Sequence, residues 1–428
     1  MNLVADMSLC GRPWRSYRRI TPAALFLDFA TGRYAPGGFS DLVSFTRAST
    51  ATYVDATGTM QTAAIDTPRT GHHVWDGSAW VNEGILIESE SRTNLHTYSE
   101  NFADSSWTKF KCSVSDVVGI SKIVPNVDAT SFHTVDATIS CSTGNFYSMS
   151  VDAKADGYSH LVLRAASYLG NIGVIFDLDA GTVIGNAPGG SGSDLATIEP
   201  RADGWWRCAI HGMECTADYS AQAMRVGVLS DSVGSSYVGD GTSGILVRRA
   251  QFEEGAFSTS YIPTSGSTVT RAADSLIIPA AKLPYSMTAM SWASDLLITY
   301  ADTGSSAEQT LFDWRADASN RITLTLDTSS AKTGTLTLSV VSGGVSASIS
   351  TSAELTPGVD VAAKIVWRVT ASEINIALDG TAETAVTNTA GVPDLSSADA
   401  TFGGMVTIAM ERGWAVDLGD TGIEGASA

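Results

Sequence analysis

Two stretches near the C-terminus, AAKIVWRV (362–369) and EINIALD (373–379), largely alternate in polarity with a period of two, and no other feature constrains the fold as tightly. On an extended chain, successive side chains point to opposite faces. Ile365, Trp367 and Val369 therefore share one face and Val366 and Arg368 the other, and Ile374, Ile376 and Leu378 repeat the pattern after the turn at TASE. The Asp379-Gly380 pair that follows is a hairpin signal. ITLTLDT (322–328) and TLTLSVV (335–341) behave in the same way. Upstream, AALFLDF, FYSMSVDA, HLVLRAA, VIFDL, WWRCAI, MRVGVL and GILVRRAQF read as strands separated by Gly, Asp, Asn and Ser. Few stretches can hold a helix of three turns. A short amphipathic turn opens the chain, where Leu3, Val4, Met7 and Cys10 fall at helical spacing before Gly11 and Pro13 stop it. The pattern predicts an all-β chain of tandem antiparallel β-sandwiches. A parallel β-helix would need a fixed repeat of roughly 20–30 residues, which this chain does not show.

At 428 residues the chain exceeds one ordinary core. The predicted division is an N-terminal segment (1–92), a first sandwich (93–264), an extended linker (265–282) and a second sandwich (283–428). The linker follows from AQFEEGAFSTSYIPTSGSTVTRAADSL (250–276). The residue before Pro263 is pushed out of helical space, and the Ser/Thr run has β propensity without bulk, so it reads as a strap between domains.

The formal charge of −19 excludes a nucleic-acid-binding body, because acidic surfaces repel phosphate backbones. The first 50 residues differ, with six Arg against three Asp. Among them, Arg12, Trp14, Arg15, Arg18 and Arg19 form a basic cluster, read either as a solvated arm or as a docking element for an acidic partner. The N-terminus reverses the charge order of a secretory signal, and no run of 18 apolar residues occurs. The expectation is synthesis in a cytosol with no membrane insertion, any extracellular role requiring lysis. Five widely spaced cysteines without a C-x-x-C pair read as mostly buried thiols.

Few motifs suggest catalysis. GDGTSG (239–244) matches G-x-G-x-x-G, but a strand follows it, so it reads as a glycine turn. His72 and His73 should point to opposite faces of a strand, at the surface, and Glu253 and Glu254 should likewise diverge, too far apart in direction to flank one glycosidic bond. Trp206 should lie in a core, with Trp205 covering an edge. DWRADASNR (313–321) crowds an aromatic, carboxylates and an amide into one loop. Flat aromatic faces cover the apolar side of sugar rings while Asp and Asn bind hydroxyls, so Trp314, Asp317 and Asn320 are candidate carbohydrate-binding residues, with a capped hairpin tip as the structural alternative. No catalytic or metal-ligating set and no cofactor is identified. A structural calcium ion is compatible with either sandwich.

FTRASTATYVDATGTMQTAAIDTPR (45–69), GILIESESRTNLHTYSENFADSSWTK (84–109), ADGWWRCAI (202–210), YVGDGTSGILVRRAQFEEG (237–255) and TSYIPTSGSTVTRAAD (259–274) resemble a family of tailed-phage and prophage fibre or spike proteins. The resemblance implies a carbohydrate-binding-module-like jelly roll in the first sandwich. More loosely, it implies a laminin-G or concanavalin-like lectin sandwich in the second. It departs at Arg248 and Arg249, where relatives often carry an aromatic. The implied function is a non-enzymatic adhesin of a phage or gene-transfer particle, on head or tail. Its N-terminal segment would dock to other virion proteins while the sandwiches attach the virion to bacterial surface polysaccharide. A baseplate or capsid-decorating protein without glycan binding, and a polysaccharide depolymerase, are the alternatives. Single sandwiches hold sugars weakly and linked copies raise avidity, so a homotrimer is expected. Mass photometry of the full chain at micromolar concentration should show trimers; monomers alone would count against that state.

Overall fold

The computed structural model describes residues 22–428 except 128–131, 166, 232–235, 303–307 and 330–332. The alternating C-terminal stretches pair as their periodicity requires. Strand Gly358–Thr370 lies between Ala289–Tyr300 and Glu373–Leu378, with Trp367 opposite Trp292 on one side and Ile376 on the other. Ile365, Trp367 and Val369 enter the main core. Val366 lies on the outer face, under Ile423 and Ala426 of the terminal helix Gly419–Ser427. Arg368, also facing outward, is tied to Asp420 at 2.8 Å and Glu373 at 3.1 Å.

Two large antiparallel sheets share this core. The first has the order Arg33–Ala35, Leu25–Asp28, Met405–Trp414, Ala289–Tyr300, Gly358–Thr370, Glu373–Leu378, Thr381–Ala382. The second runs Val345–Ser350, Leu336–Ser342, Asn320–Asp327, Glu308–Asp317, Ala400–Phe402, Ser275–Ile278, Ser44–Thr46. Trp292, Phe312, Trp367 and Phe402 interlock between them, with the Trp292 and Trp367 rings stacked at 6.4 Å.

These pairings redraw the expected division. Residues 22–88 are not a separate segment: Leu25–Asp28 pairs with Asp28 opposite Met410, and Trp80–Glu88 takes the rest of the same strand edge, Ile85 opposite Ile408. Leu25, Leu27, Leu42, Ile85 and Ile87 belong to one core with Trp292 and Trp314. Without them, Met405–Trp414 would present an open strand edge and an uncovered apolar face. Gly84 permits the approach. It has φ +110°, and a Cβ there would lie 2.1 Å from the Ile408 carbonyl oxygen. The presumed linker is also structural, since Ser275–Ile278 lies between Ser44–Thr46 and Ala400–Phe402, and Val269–Arg271 pairs with Arg92–Asn94.

The other sandwich is thus an insertion, leaving the composite one after Glu88 and returning at Ser275. Its sheets run Cys112–Val117, Ile120–Pro125, Gly244–Glu254, Phe146–Asp156, Trp205–Glu214, Ala196–Arg201, and Thr182–Asn186, Ile172–Asp177, His160–Ala165, Tyr219–Leu229, His133–Cys141, Thr108–Phe110. They enclose a second core of residues such as Ile123, Val151, Phe176, Val226 and Phe252.

Where exit and return meet, a knot of charge is sealed from water. Arg47, Arg69 and Arg271 are at most 1% exposed, and Glu88 and Asp274 at most 4%. Arg69 grips Glu88 at 2.6 Å and also Asp274; Arg47 reaches Asp274 at 3.1 Å, and Arg271 reaches Glu88 at 3.2 Å. Ser260 donates from its backbone N–H and its hydroxyl to Glu88, at 2.8 and 2.7 Å. Burial alone would raise the Glu88 carboxyl, but the Arg271 and Arg69 guanidiniums and the Ser260 donors overcome it and hold the group well below the ordinary carboxylate range. Arg69→Met removes one arginine partner from each of two buried carboxylates, so it should destabilise the protein by about 3–5 kcal/mol in urea unfolding followed by tryptophan fluorescence. A loss under about 1 kcal/mol would show that the knot does not hold the fold.

Candidate functional site

Trp314 does not form a sugar-stacking surface. The strand Glu308–Asp317 continues beyond it, so Trp314 keeps the inward parity of Phe312; it is 1% exposed, and its Nε1 donates to the Ala398 carbonyl at 2.9 Å. Asp317 and Asn320 occupy the exposed hairpin tip and serve the turn. Asp317 accepts from the Ser319 N–H at 2.7 Å and the Asn320 amide at 3.2 Å, while Asn320 accepts from the Gly343 N–H at 3.1 Å. The structure thus separates the three residues proposed as one sugar site. Arg12, Trp14, Arg15, Arg18 and Arg19 lie outside the described residues. Trp206 packs on the inserted core with Cys208 and Ile210, as expected, whereas Trp205, expected to cover an edge, is more deeply buried on the opposite face. Trp205 is 5% exposed, with the Arg248 guanidinium 3.9 Å above its ring, whereas Trp206 is half-buried against the inserted core and donates to the Leu178 carbonyl at 2.8 Å. Glu253 and Glu254 do diverge, one buried and bonded to Thr259 and the other exposed.

A better candidate lies where three parts of the chain converge. A cleft of about 480 Å3 is bounded on one side by the hairpin Arg69–Trp75 and Trp80–Glu88. Its other wall is Ala196–Arg201, the edge strand of the inserted sandwich, and Leu297, Val359 and Asp360 of the composite sandwich complete it. Trp75 and Trp80 face each other across the hairpin end, ring centroids 5.5 Å apart at 60°. The four residues between them form a tight turn in which Asp76 accepts the Ser78 and Ala79 N–H groups at 2.8 Å. Gly58 lets the neighbouring turn slide under Trp80. It has φ +78°, and a Cβ there would meet the indole at 2.6 Å. Trp75 stays 37% exposed.

The polar lining is mixed. His72 and His73 both border the cleft, where bulges at Thr70/His72 and His72/His73 interrupt the strand pairing. Burial, then Arg69 and Arg201, push His72 down to about 3. The neutral ring accepts the Val54 N–H on Nδ1 at 3.3 Å, which places its own proton on Nε2. Arg201 bonds Glu199 at 3.0 Å and the Pro200 carbonyl at 2.8 Å, while its buried Nε has no partner among the described residues. Asp360 sits in a left-handed bulge (φ +52°) and makes no ion pair among the described residues; burial first, then Glu199, raise it to about 7, with Arg201 opposing. A smaller cavity of about 140 Å3 adjoins the cleft, shares Val54, His72, Glu199, Arg201, Val359 and Asp360 with it, and runs back to Glu88 of the charge knot.

No cluster of three or more His, Cys, Asp or Glu residues able to hold a metal occurs among the described residues, and no helix there is long and apolar enough to cross a membrane. The missed residues had one sequence signal: WDGSAW (75–80) places an Asp-Gly turn between two tryptophans. Nothing local linked them to Glu199, Arg201 or Asp360.

No known family model matches this chain, and no curated protein matches it. Among solved structures, it is similar to the botulinum neurotoxin serotype D binding domain, with 13% identity over 35% of this chain and 39% of that one, at a TM-score of 0.29. The receptor binding domain of the botulinum neurotoxin C/D mosaic serotype is matched at 13% identity over 36% and 39%, again with a TM-score of 0.29. The chain therefore spans about two fifths of these structures, and a likeness this low carries no argument about function.

A carboxyl raised above its ordinary value keeps its proton in the folded state after the unfolded chain has lost it. Asp360 should therefore cost stability progressively from about pH 4 to pH 7. Asp360→Asn, which tolerates the left-handed backbone, should melt increasingly above wild type across that window. Parallel melting curves would show that the carboxyl is not held in its protonated form.

Proposed function

We propose that the protein is a non-enzymatic glycan-binding adhesin carried on a phage or gene-transfer particle, and that the Trp75–Trp80 cleft is where saccharide binds. The observation that carries this reading is the aromatic pair at the mouth of a cleft lined with hydrogen-bonding side chains. Indole faces cover the apolar side of a sugar ring, and Arg201, His72, Glu199 and Asp360 supply donors and acceptors for its hydroxyls. Asp76, Glu83 and Glu199 outnumber Arg201, the single permanent cation lining the cleft, which favours neutral or amino sugars over polyuronates. The particle assignment rests on the resemblance of residues 45–69, 84–109, 202–210, 237–255 and 259–274 to fibre and spike proteins. Docking by the N-terminal arginine cluster and assembly as a homotrimer belong to the same reading.

One observation favours a second reading, a depolymerase. Asp360 retains a proton near neutral pH beside Glu199, as a general acid must. Release of new reducing ends from host capsule would select it.

Affinity electrophoresis through neutral polysaccharides, chitosan and alginate tests the adhesin reading. Wild type should be retarded by a neutral or amino-sugar polymer and not by alginate. Trp75→Ala should weaken retardation about tenfold with little change in melting temperature, its ring being partly exposed. Equal mobility of variant and wild type in every retarding gel would remove the cleft from the binding site.

A further inference from the structure

We propose that Cys141 and Cys215 are a cross-linking site, forming a disulfide that fastens the two sheets of the inserted sandwich to each other. Cys141 ends His133–Cys141 in one sheet, and Cys215 directly follows Trp205–Glu214 in the other. The two sequence positions are 74 residues apart, yet their sulfurs approach to 2.8 Å. Both residues are buried, at 3% and 0% exposure. The backbone on each side is already fixed: Gly144 donates to the Cys215 carbonyl at 2.8 Å, Cys215 to Asn145 at 2.9 Å and Thr216 to Tyr168 at 2.9 Å, while Ser142 donates to the Tyr147 hydroxyl at 2.9 Å. Bond formation needs a small rotation of two side chains and no movement of the strands. Cys112 and Cys208 are buried as well, but neither has a thiol partner among the described residues, and the Cys112 thiol donates instead to the Thr134 carbonyl at 3.2 Å.

The oxidant is a low-molecular-weight disulfide such as oxidised glutathione. One cysteine thiolate attacks it, its S–S bond breaks and one small thiolate leaves; the second cysteine thiolate then attacks the mixed disulfide and expels the other. The two protons lost by the cysteines end on the two released thiols, so the pair is oxidised by two electrons and the reagent reduced by two. Burial, then the neighbouring Cys215, push the Cys141 thiol up to about 12, which leaves little thiolate in the closed sandwich. The exchange is therefore fast while the sheets are still assembling and slow afterwards. A reducing cytosol keeps the pair open, and an oxidising exterior closes it.

The test refolds full-length protein with and without oxidised glutathione, blocks remaining thiols, and maps peptides by mass spectrometry without reduction. The expected product is a Cys141–Cys215 linked peptide, with denatured thiols falling from five to three. The melting temperature should rise by about 5–10 °C, because the bridge closes a long loop in the unfolded chain. Cys141→Ser should abolish both the linked peptide and the oxidant-dependent rise. Alkylation of both cysteines in the oxidised wild type, or their linkage to Cys10, Cys112 or Cys208, would overturn the proposal, and this wild-type map decides it even where a variant fails to fold.

Discussion

Everything else in the molecule depends on three guanidiniums and two carboxylates removed from water at one point. Such burial requires paired charges and partners for most of the remaining donors, the Arg69 Nε being left without a partner among the described residues. Here Arg47 also bonds the Ser49, Ala64 and Thr67 carbonyls, Arg69 the Thr52 carbonyl and Arg271 the Glu90 carbonyl. No single segment supplies a complete set. Residues 45–69, Glu88, Ser260 and residues 271–274 must all be in place, and the longest link, Arg47 to Asp274, spans 227 positions. Every member of the knot lies in residues 45–69, 84–109 or 259–274.

The knot also decides where a ligand could sit. By tying the chain's exit from the composite sandwich to its return, it fixes the inserted sandwich against the Arg69–Glu88 hairpin. The Ala202 N–H then reaches the Gly58 carbonyl at 3.0 Å, and the edge strand Ala196–Arg201 becomes the wall of a cleft instead of an open sheet edge. A cleft assembled from three parts of the chain is as rigid as the junction that joins them. Its polar groups are held by that junction before any ligand arrives, which lowers the ordering cost of binding.

Buried carboxyls show how environment sets the state of a single residue type. Glu88, among arginines, is held ionised. Glu411, fully buried in the composite core, accepts from Trp292 Nε1 at 2.5 Å and Ser294 Oγ at 2.7 Å, and burial pushes it up to about 8 against the opposing pull of Arg412. Their effects on stability have opposite signs. The Glu88 contribution is present above the ordinary carboxylate range and is lost as the pH falls, whereas Glu411 and Asp360 lose stability as the pH rises toward 7 or 8.

The sequence by itself determined the all-β class, the inward faces of strands such as Gly358–Thr370 and the divergence of Glu253 and Glu254, because alternation on an extended chain is a local property. It also specified turns, as at Asp379-Gly380. Alternation placed Trp206 against the inserted core, but the burial of Trp205 on the opposite face under the Arg248 guanidinium depends on a strand more than 40 positions away. The loop DWRADASNR was read as a site from composition, although strand parity at Phe312 already directed Trp314 inward. Only the tertiary structure decided that residues 22–88 complete the C-terminal sandwich, that the inserted sandwich interrupts it, and that Trp75, Trp80, Arg201 and Asp360 share a cleft. Those outcomes rest on contacts between residues hundreds of positions apart, and neither periodicity nor propensity carries information over that distance.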